Sequence, residues 1–263
     1  MAKVYMKGSK GAGVEMLQRL LVQRGYQLTS DGDYGPRTME AVTAFQQAEH
    51  LVADGIAGQK TMARLAGVTL TAAYIRSHIT FTPRRTVNYI AIHYTAGATS
   101  RGGAAKANRD VFLQRPASAD FVVDDDTIVQ VNPDIRSYYC WAVGDKRNPW
   151  TGGARLNGKA TNRNTISIEM CSTLSKGASA AVPNHEGWSL SDRVVARTLR
   201  LVRYLMMAYD IPRERVVRHY DVTGKLCPGV PGWNDGPLYD TGGKALSGKK
   251  SGSEAWRQFV AAI

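Results

Sequence analysis

The sequence predicts two folds in one chain: a small all-α domain of three helices, then a larger α/β domain with a mixed central sheet flanked by helices. A nine-residue motif occurs twice near the N-terminus, 23 residues apart, among apolar residues at helical spacing. From about residue 78 onward, β-rich segments alternate with helical ones, as in a layered α/β domain. The 263 residues are 43% hydrophobic, which is enough apolar material for two folded cores.

The repeated motif defines the helical domain. Residues 31–39 and 54–62 both have the pattern Asp-Gly-x-x-Gly-x-x-Thr-Met. The Asp-Gly pair favours a tight turn, and Pro36 suits the first position of a helix. We predict one helix that ends near Gly25 and one helix after each turn. Apolar residues at helical spacing support all three helices: Val14, Leu17, Leu20, Leu21, Met39, Val42, Phe45, Met62 and Leu65.

The second domain is predicted at residues 78–263, after the helical domain at residues 1–68 and a linker at residues 69–77. Its β-rich segments predict strands at 88–94, 165–170 and 216–219 and a hairpin at 121–131. Helical spacing predicts helices at 104–113 and 191–209 and a closing helix around Trp256. Two stretches rich in Gly, Pro, Asn and Lys are predicted to be long loops of the functional kind: 144–163 and 224–250.

The charge of the chain indicates a polyanionic partner. The formal net charge is +12, of which +2 lies in residues 1–68 and +10 in the remainder. A nucleic acid, an anionic membrane or a wall polymer would each suit this charge. No aromatic-basic repeat or nucleic-acid motif is present, so we expect no nucleic-acid partner.

The cysteine content and the first residues of the chain indicate the compartment in which the protein is made. The three cysteines, Cys140, Cys171 and Cys227, are too few and odd in number for a disulfide framework, and we expect Cys140 and Cys171 to be buried free thiols. The chain begins without an apolar run, so we predict no signal peptide, no membrane insertion and synthesis in a reducing cytoplasm.

Two of the five histidines are candidates for chemistry. His93 and His219 both lie at the carboxyl end of a predicted strand, where ligands of α/β proteins usually bind. Cys227 follows His219 by eight residues. Two imidazoles and a thiolate around an open position are typical of a catalytic zinc site, although this spacing alone also occurs without a metal. We expect the other three histidines to lie at the surface: His50, His78 and His185.

The first domain resembles a known binding module. The resemblance rests on the apolar stripe from Val14 to Leu21, both Asp-Gly motifs and the pair Phe45 and Gln46. These features resemble the peptidoglycan-binding domain type 1 family, three-helix bundles of bacterial and phage wall hydrolases, over residues 8–66. The resemblance implies bacterial peptidoglycan as the partner. The apolar positions equally serve to build the bundle, and binding residues are expected on loops.

Three motifs of the second domain carry a second resemblance. They are Tyr-Ile-Ala-Ile-His-Tyr-Thr-Ala at 89–96, Ser-Ile-Glu-Met at 167–170 and His-Tyr-Asp-Val-Thr-Gly-Lys-Leu-Cys-Pro-Gly at 219–229. In this order they resemble the zinc-dependent N-acetylmuramoyl-L-alanine amidase type 2 family, over about residues 78–240. That family includes phage endolysins, bacterial autolysins, cytosolic recycling amidases and animal peptidoglycan-recognition proteins.

The resemblance implies a role for each of five residues. By its implication His93, His219 and Cys227 bind one Zn²⁺ per chain, Glu169 is the catalytic glutamate and Lys225 lies beside the metal. The chemistry agrees, since a carboxylate near the metal can take a proton from water and deliver it to the leaving amine. A lysine two residues from a ligand can stabilise an oxyanion. The alternatives are a salt bridge between Glu169 and an arginine, and an ordinary loop position for Lys225.

The chain departs from the family at two places. Family members often have Tyr-His or Ala-His before a strand where this chain has Ser-Ala-Asp at 118–120. Many also have Trp-His-x-Gly where this chain has Trp-Ala-Val-Gly at 141–144. Accessory histidine or tyrosine roles therefore do not transfer to these positions.

These observations predict a bacteriolytic, endolysin-like peptidoglycan hydrolase. We expect it to cleave the amide between the lactyl group of N-acetylmuramic acid and L-alanine, while the small domain holds it on the wall. We expect synthesis in a bacterial cytoplasm and action on the wall after release. The alternatives are a non-catalytic peptidoglycan-recognition protein, which the presence of Cys227 disfavours, and a cytosolic muropeptide-recycling amidase, which the wall-binding module disfavours.

Overall fold

The chain forms two compact units in the computed structural model, which describes residues 3–263. The first unit contains Met1–Thr69 and Arg200–Arg215, and the second contains Leu70–Leu199 and Val216–Ile263. The predicted fold class, an all-α domain plus an α/β domain with a mixed sheet, is confirmed. The boundary after residue 68 and the linker stay predictions. Among residues 3–263, no helix combines the length and the apolar character needed to cross a membrane.

Three helices build the N-terminal part of the first unit: α1 (Ala12–Gln23), α2 (Pro36–Ala48) and α3 (Gln59–Ala66). All three were predicted, and α2 begins at Pro36 as expected. Gly25 follows the end of α1 with φ +92°, a left-handed conformation that glycine adopts without strain. The predicted apolar stripes form the core, with these residues fully or almost fully buried: Val14, Leu17, Leu21, Val42, Phe45, Met62 and Leu65.

Each copy of the repeated motif is closed by a buried glutamine from the preceding helix. In the first copy, Gln18 of α1 accepts the Gly32 N–H at 2.8 Å through its side-chain oxygen. Its side-chain nitrogen donates to Asp31 Oδ1 at 2.9 Å and to Thr38 Oγ1 at 3.0 Å. One amide therefore joins the Asp-Gly turn to the helix that follows it.

The second copy repeats this arrangement with Gln46 of α2. Its oxygen accepts the Gly55 N–H at 2.9 Å, and its nitrogen donates to Asp54 Oδ1 at 3.0 Å and Thr61 Oγ1 at 3.2 Å. The Asp, Gly and Thr of the motif thus share one physical role, which is to surround a buried amide. Gln46 was part of the resemblance to the binding module without this role, and Gln18 was not predicted.

Replacing Gln46 by alanine should destabilise the chain by about 2–3 kcal/mol, because the buried Gly55 N–H and the side chains around it lose their partner. Gln47→Ala is a matched control, since Gln47 is exposed on the same helix and should change stability by less than about 0.5 kcal/mol. Urea unfolding measures the free energy of unfolding of both variants. Equal stability of the two variants would contradict the role of the buried amide.

Residues 3–263 contain four further α-helices and twelve strands. The helices are α4 (Ala104–Val111), α5 (Asp192–Tyr209), α6 (His219–Thr223) and α7 (Glu254–Ala261). The first six strands are β1 (Thr71–Ala72), β2 (Ile79–Phe81), β3 (Tyr89–Tyr94), β4 (Phe121–Val123), β5 (Ile128–Gln130) and β6 (Tyr138–Cys140). The others are β7 (Thr165–Met170), β8 (Thr173–Leu174), β9 (Trp188–Ser189), β10 (Val216–Arg218), β11 (Pro237–Tyr239) and β12 (Ala245–Lys250).

Six strands form the central sheet in the order β1-β5-β4-β7-β3-β10. Only the predicted hairpin, β4 with β5, is antiparallel, and the other neighbours are parallel. The middle strands β3 and β7 are mostly buried, which explains their nearly continuous apolar sequence. Their carboxyl ends meet at one edge of the sheet.

Several local predictions need correction. The stretch 224–250 is not a continuous loop, since it contains β11 and β12, which pair antiparallel. The stretch 144–163 contains only two short 3₁₀ helices, as its loop composition predicted. His219 does not end a strand but begins α6, directly after β10. The strands β1, β2, β6, β8 and β9, each of two or three residues, were not predicted.

A buried arginine anchors the start of β7. Arg85 is 2% exposed and forms a 3.4 Å ion pair with Asp120, which is also buried. Its guanidinium donates to five backbone carbonyl oxygens: those of Ile135, Tyr138, Asn162, Arg163 and Thr165. Because Thr165 is the first residue of β7, this contact helps to fix the strand that carries Glu169.

Candidate active site

Three candidate metal ligands converge at the carboxyl edge of the sheet. His93 lies near the end of β3, and its neighbour β10 leads directly into His219. The two imidazole rings lie with their centroids 4.7 Å apart. Cys227, in the loop after α6, places its Sγ 3.7 Å from His93 Nδ1. All three side chains are buried, and one donor atom from each lies within 4.8 Å of the others.

Hydrogen bonding leaves lone pairs available in this cluster. His219 Nε2 lies 2.8 Å from the Val143 carbonyl oxygen, so Nε2 carries the proton and donates it, and Nδ1 keeps its lone pair. Among the described residues, neither His219 Nδ1 nor His93 Nε2 has a hydrogen-bond partner, although both atoms are buried. A bound cation would remove the free-energy cost of burying these unpartnered groups.

Burial sets the protonation states of the cluster. It lowers the pKa of His219 to about 3 and the pKa of His93 well below its usual value, with nearby positive charge adding to both effects. Both imidazoles are therefore neutral. Burial also raises the pKa of the Cys227 thiol to about 12, with the Glu169 charge adding to the rise. Two neutral nitrogens and a sulfur that gives up its proton on metal binding are ligands that Zn²⁺ accepts.

Glu169 lies next to this cluster because of strand register. β7 pairs in parallel with β3, and Glu169 is the direct partner of His93. Its Oε1 lies 3.9 Å from His93 Nδ1, its side chain is 17% exposed, and its buried Oε2 has no hydrogen-bond partner among the described residues. Burial raises the pKa of Glu169 to about 8, against the opposing charge of Lys225. No arginine pairs with Glu169 in the described part of the chain, which removes the alternative of a structural salt bridge.

Lys225 completes the predicted set. It is exposed two residues before Cys227 and lines the same cavity as His93, His219, Cys227 and Glu169. Its positive charge lowers the pKa values of both histidines and of Glu169. The cavity, of about 560 Å³, therefore joins three metal donors, one carboxyl group and one ammonium group at an opening to solvent.

The backbone at residues 142–144 positions one of the candidate ligands, His219. At position 142, where the amidase family often has a histidine, this chain has alanine. The next residue, Val143, holds His219 through its carbonyl oxygen. Asn162 Oδ1 in turn accepts the N–H groups of Ala142 and Val143 at 3.0 and 2.8 Å, and of Gly144 at 3.3 Å. Neither Val143 nor Asn162 was predicted. Val143 acts through its backbone carbonyl, which leaves no residue-type signal, and Asn162 lies in a stretch predicted only as a loop.

The remaining histidines and cysteines lie outside the cluster. His50 is exposed, and His78 is half-buried beside Trp141. The prediction of a surface position for His185 is wrong: it is fully buried, with Nε2 2.7 Å from the Ser179 carbonyl oxygen and Nδ1 accepting the Gly187 N–H at 3.1 Å. Both ring nitrogens are therefore satisfied. The prediction of buried free thiols is confirmed for the other two cysteines, Cys140 and Cys171.

Fold and site together define an α/β protein with a buried cluster of two histidines and a cysteine, able to hold a metal ion, at the edge of its sheet. The chain belongs to the N-acetylmuramoyl-L-alanine amidase family, whose model matches residues 83–230. Residues 10–65 match the family described as "Putative peptidoglycan binding domain". Both resemblances stated from the sequence are confirmed.

Related proteins include two Bacillus amidases. The chain is 32% identical over 143 residues to N-acetylmuramoyl-L-alanine amidase CwlH of Bacillus subtilis (strain 168), covering 53% of this chain and 46% of that protein. It is 28% identical over 149 residues to N-acetylmuramoyl-L-alanine amidase CwlL of Bacillus licheniformis, covering 54% and 36%. The chain thus spans less than half the length of these relatives. The catalytic domain of XlyA is similar in structure, with 21% identity, a TM-score of 0.48 and coverage of 74% of this chain and 99% of that one.

Proposed function

We propose that the chain is a zinc-dependent N-acetylmuramoyl-L-alanine amidase that cleaves the amide between the lactyl group of N-acetylmuramic acid and L-alanine of the stem peptide. The observation that carries this proposal is the convergence of two buried imidazoles and a buried thiol within 4.8 Å, with the Glu169 carboxyl group 3.9 Å from one of them. Membership of the amidase family supports the reaction type.

The metal would be held by His93, His219 and Cys227, all three of which line the cavity. Zinc in such a set supplies Lewis acidity toward a carbonyl group and activates water as a nucleophile. The Val143 carbonyl oxygen orients His219, so that its unprotonated nitrogen is available to the metal.

Glu169 would transfer the proton of the attacking water, and Lys225 would stabilise the negative charge on the carbonyl oxygen. In the reaction a water oxygen bonds to the carbonyl carbon and the carbon–nitrogen bond breaks, giving a lactyl carboxylate and a free L-alanine amine. In its ionised form, the Glu169 carboxyl group takes a proton from the attacking water and delivers it to the leaving nitrogen. The Lys225 ammonium stabilises the negative charge that develops on the carbonyl oxygen.

Mass spectrometry of digested peptidoglycan tests this function. The purified chain loaded with zinc should release stem peptides that begin with a free L-alanine amine, together with glycan strands whose lactyl groups are free acids. New reducing sugar ends without new L-alanine amines would contradict the proposed bond. Binding to the wall without any release of products would favour the non-catalytic recognition protein.

We also propose that the helical domain holds the enzyme on the wall, which raises the local substrate concentration. Removing residues 1–70 would be a poor test, because residues 200–215 of the first unit would lose their partners. The Asp210 carboxylate accepts the Gly13 N–H at 2.8 Å, and the Met207 carbonyl oxygen accepts the Tyr5 hydroxyl at 2.7 Å. The wall-binding role is better tested in the full chain.

Lys60→Glu should weaken binding to intact sacculi by about three- to fivefold, as expected for the loss of one exposed ionic contact. Lys60 is exposed and lines an open cavity of about 540 Å³ in the first unit, where Arg64 adds a second positive charge. Lys7→Glu, an equal charge change outside this cavity, is the control. Sedimentation with sacculi measures binding, and cleavage of a soluble muropeptide should not change. Equal weakening by both variants would contradict a wall contact at the cavity.

A further inference from the structure

A second, smaller cavity adjoins the catalytic groove and has its own composition. Lys146, Arg147, Asn148, Trp150 and Lys225 line this open space of about 430 Å³. Lys225 and Asn148 also line the groove that contains the metal donors. The two cavities are therefore neighbours that share these two residues, so a ligand that extends from the groove past Lys225 comes close to the second cavity.

The side chains of this second cavity are exposed to solvent, and its cations have no acidic partners among the described residues. Trp150 is 92% exposed, and Lys146 and Arg147 are also exposed. In the described part of the chain, none of the three cations, Lys146, Arg147 and Lys225, forms an ion pair with an acidic side chain. An indole face in water beside three unpaired positive charges contributes little to folding, which points to a ligand-binding role.

The backbone of this loop is nevertheless held against the segment that carries the metal donors. The Asn148 N–H donates to the Thr223 carbonyl oxygen at 2.5 Å, and Thr151 Oγ1 donates to the Gly224 carbonyl oxygen at 2.6 Å. Gly224 has φ +81°, and a Cβ there would lie 2.1 Å from the Asn148 carbonyl oxygen, so only glycine allows this approach. The exposed side chains thus project from a backbone whose position relative to His219 and Cys227 is fixed.

We propose that this second cavity binds the carboxylate-bearing part of the stem peptide beyond the L-alanine whose amide is cleaved. The inference rests on the proposed amidase function. Charge complementarity favours the peptide over the glycan, because N-acetylated sugars are neutral, whereas the stem peptide carries acidic groups after L-alanine. Lys146 and Arg147 pair with these carboxylates, and the Trp150 ring packs on the aliphatic parts of the peptide.

The test measures binding without turnover. Full-length protein carrying Glu169→Gln is titrated calorimetrically with a soluble muramyl tripeptide, either with free carboxylates or with every carboxylate amidated. Adding Lys146→Gln and Arg147→Gln should weaken binding of the free-acid ligand about tenfold, the combined effect of two exposed ionic contacts. Binding of the amidated ligand should stay the same. Trp150→Ala should weaken binding of both ligands by a similar factor.

The matched control is Lys249→Gln with Lys250→Gln, an equal loss of charge on the exposed strand β12. It should bind both ligands as the parent does. Unchanged affinity of the Lys146 and Arg147 double variant for the free-acid ligand, or equal weakening by the control, would overturn the proposal. Failure of the native chain to release L-alanine amines from peptidoglycan would instead overturn the amidase function, which the binding measurement does not depend on.

Discussion

Cys227→Ala is expected to abolish zinc binding and with it the amidase activity. Cys227 supplies the one sulfur in the cluster, 3.7 Å from His93 Nδ1, and alanine offers no donor in its place. Zinc affinity should fall by more than about 100-fold. Removing a residue that only orients a metal ligand already lowers metal affinity by up to about 100-fold, and Cys227 is itself a ligand in the proposed site. Metal analysis after dialysis against a weak chelator gives the stoichiometry, expected to be one zinc per native chain and none per variant.

Cys171→Ala is the matched control, since Cys171 is also a buried free thiol but lies outside the cluster. It should keep one zinc and its activity. Chelation of the native chain should stop turnover, and added Zn²⁺ should restore it. Full activity of the Cys227 variant after chelator treatment would contradict the zinc mechanism, and a circular dichroism spectrum like that of the native chain would show that the fold is intact.

Glu169→Gln is expected to lower turnover by about 10²–10⁴-fold while leaving the metal in place, the usual contribution of a positioned acid–base group. The amide keeps the shape of the carboxyl group but cannot take a proton from water. Glu169 is the strand partner of His93 and is not paired with any described arginine, so the substitution removes no structural ion pair. Steady-state kinetics on a soluble muropeptide, with zinc content and thermal stability measured on the same sample, test this.

Glu186→Gln is the control for this variant, because Glu186 is exposed and forms none of the described ion pairs. Its turnover and melting temperature should match those of the native chain. Turnover of the Glu169 variant within a few-fold of native would exclude Glu169 as the base. A lower melting temperature with a nearly unchanged rate would assign it a structural role instead.

Local patterns in the sequence determined much of this protein. The repeated Asp-Gly motif predicted the helices α2 and α3, because turn residues and helical spacing both act within a few residues. The apolar runs predicted β3 and β7, because strands in the middle of a sheet are apolar on both faces. The position of His93 at the end of a strand and of Cys227 eight residues after His219 made a metal site one possibility, and only the resemblance to the amidase family implied that these three residues bind zinc.

Other features depended on residues that are far apart in the sequence. The hydrogen bond that orients His219 comes from Val143, 76 residues away, and Arg85 bonds carbonyl groups 50 to 80 residues away. His185 lies in polar sequence, yet it is fully buried because two backbone groups satisfy its ring nitrogens. Residues 200–215 join the first unit although the rest of that unit ends at Thr69. Burial and backbone hydrogen bonding are set by which distant segments pack together, and no local period or residue type records that choice.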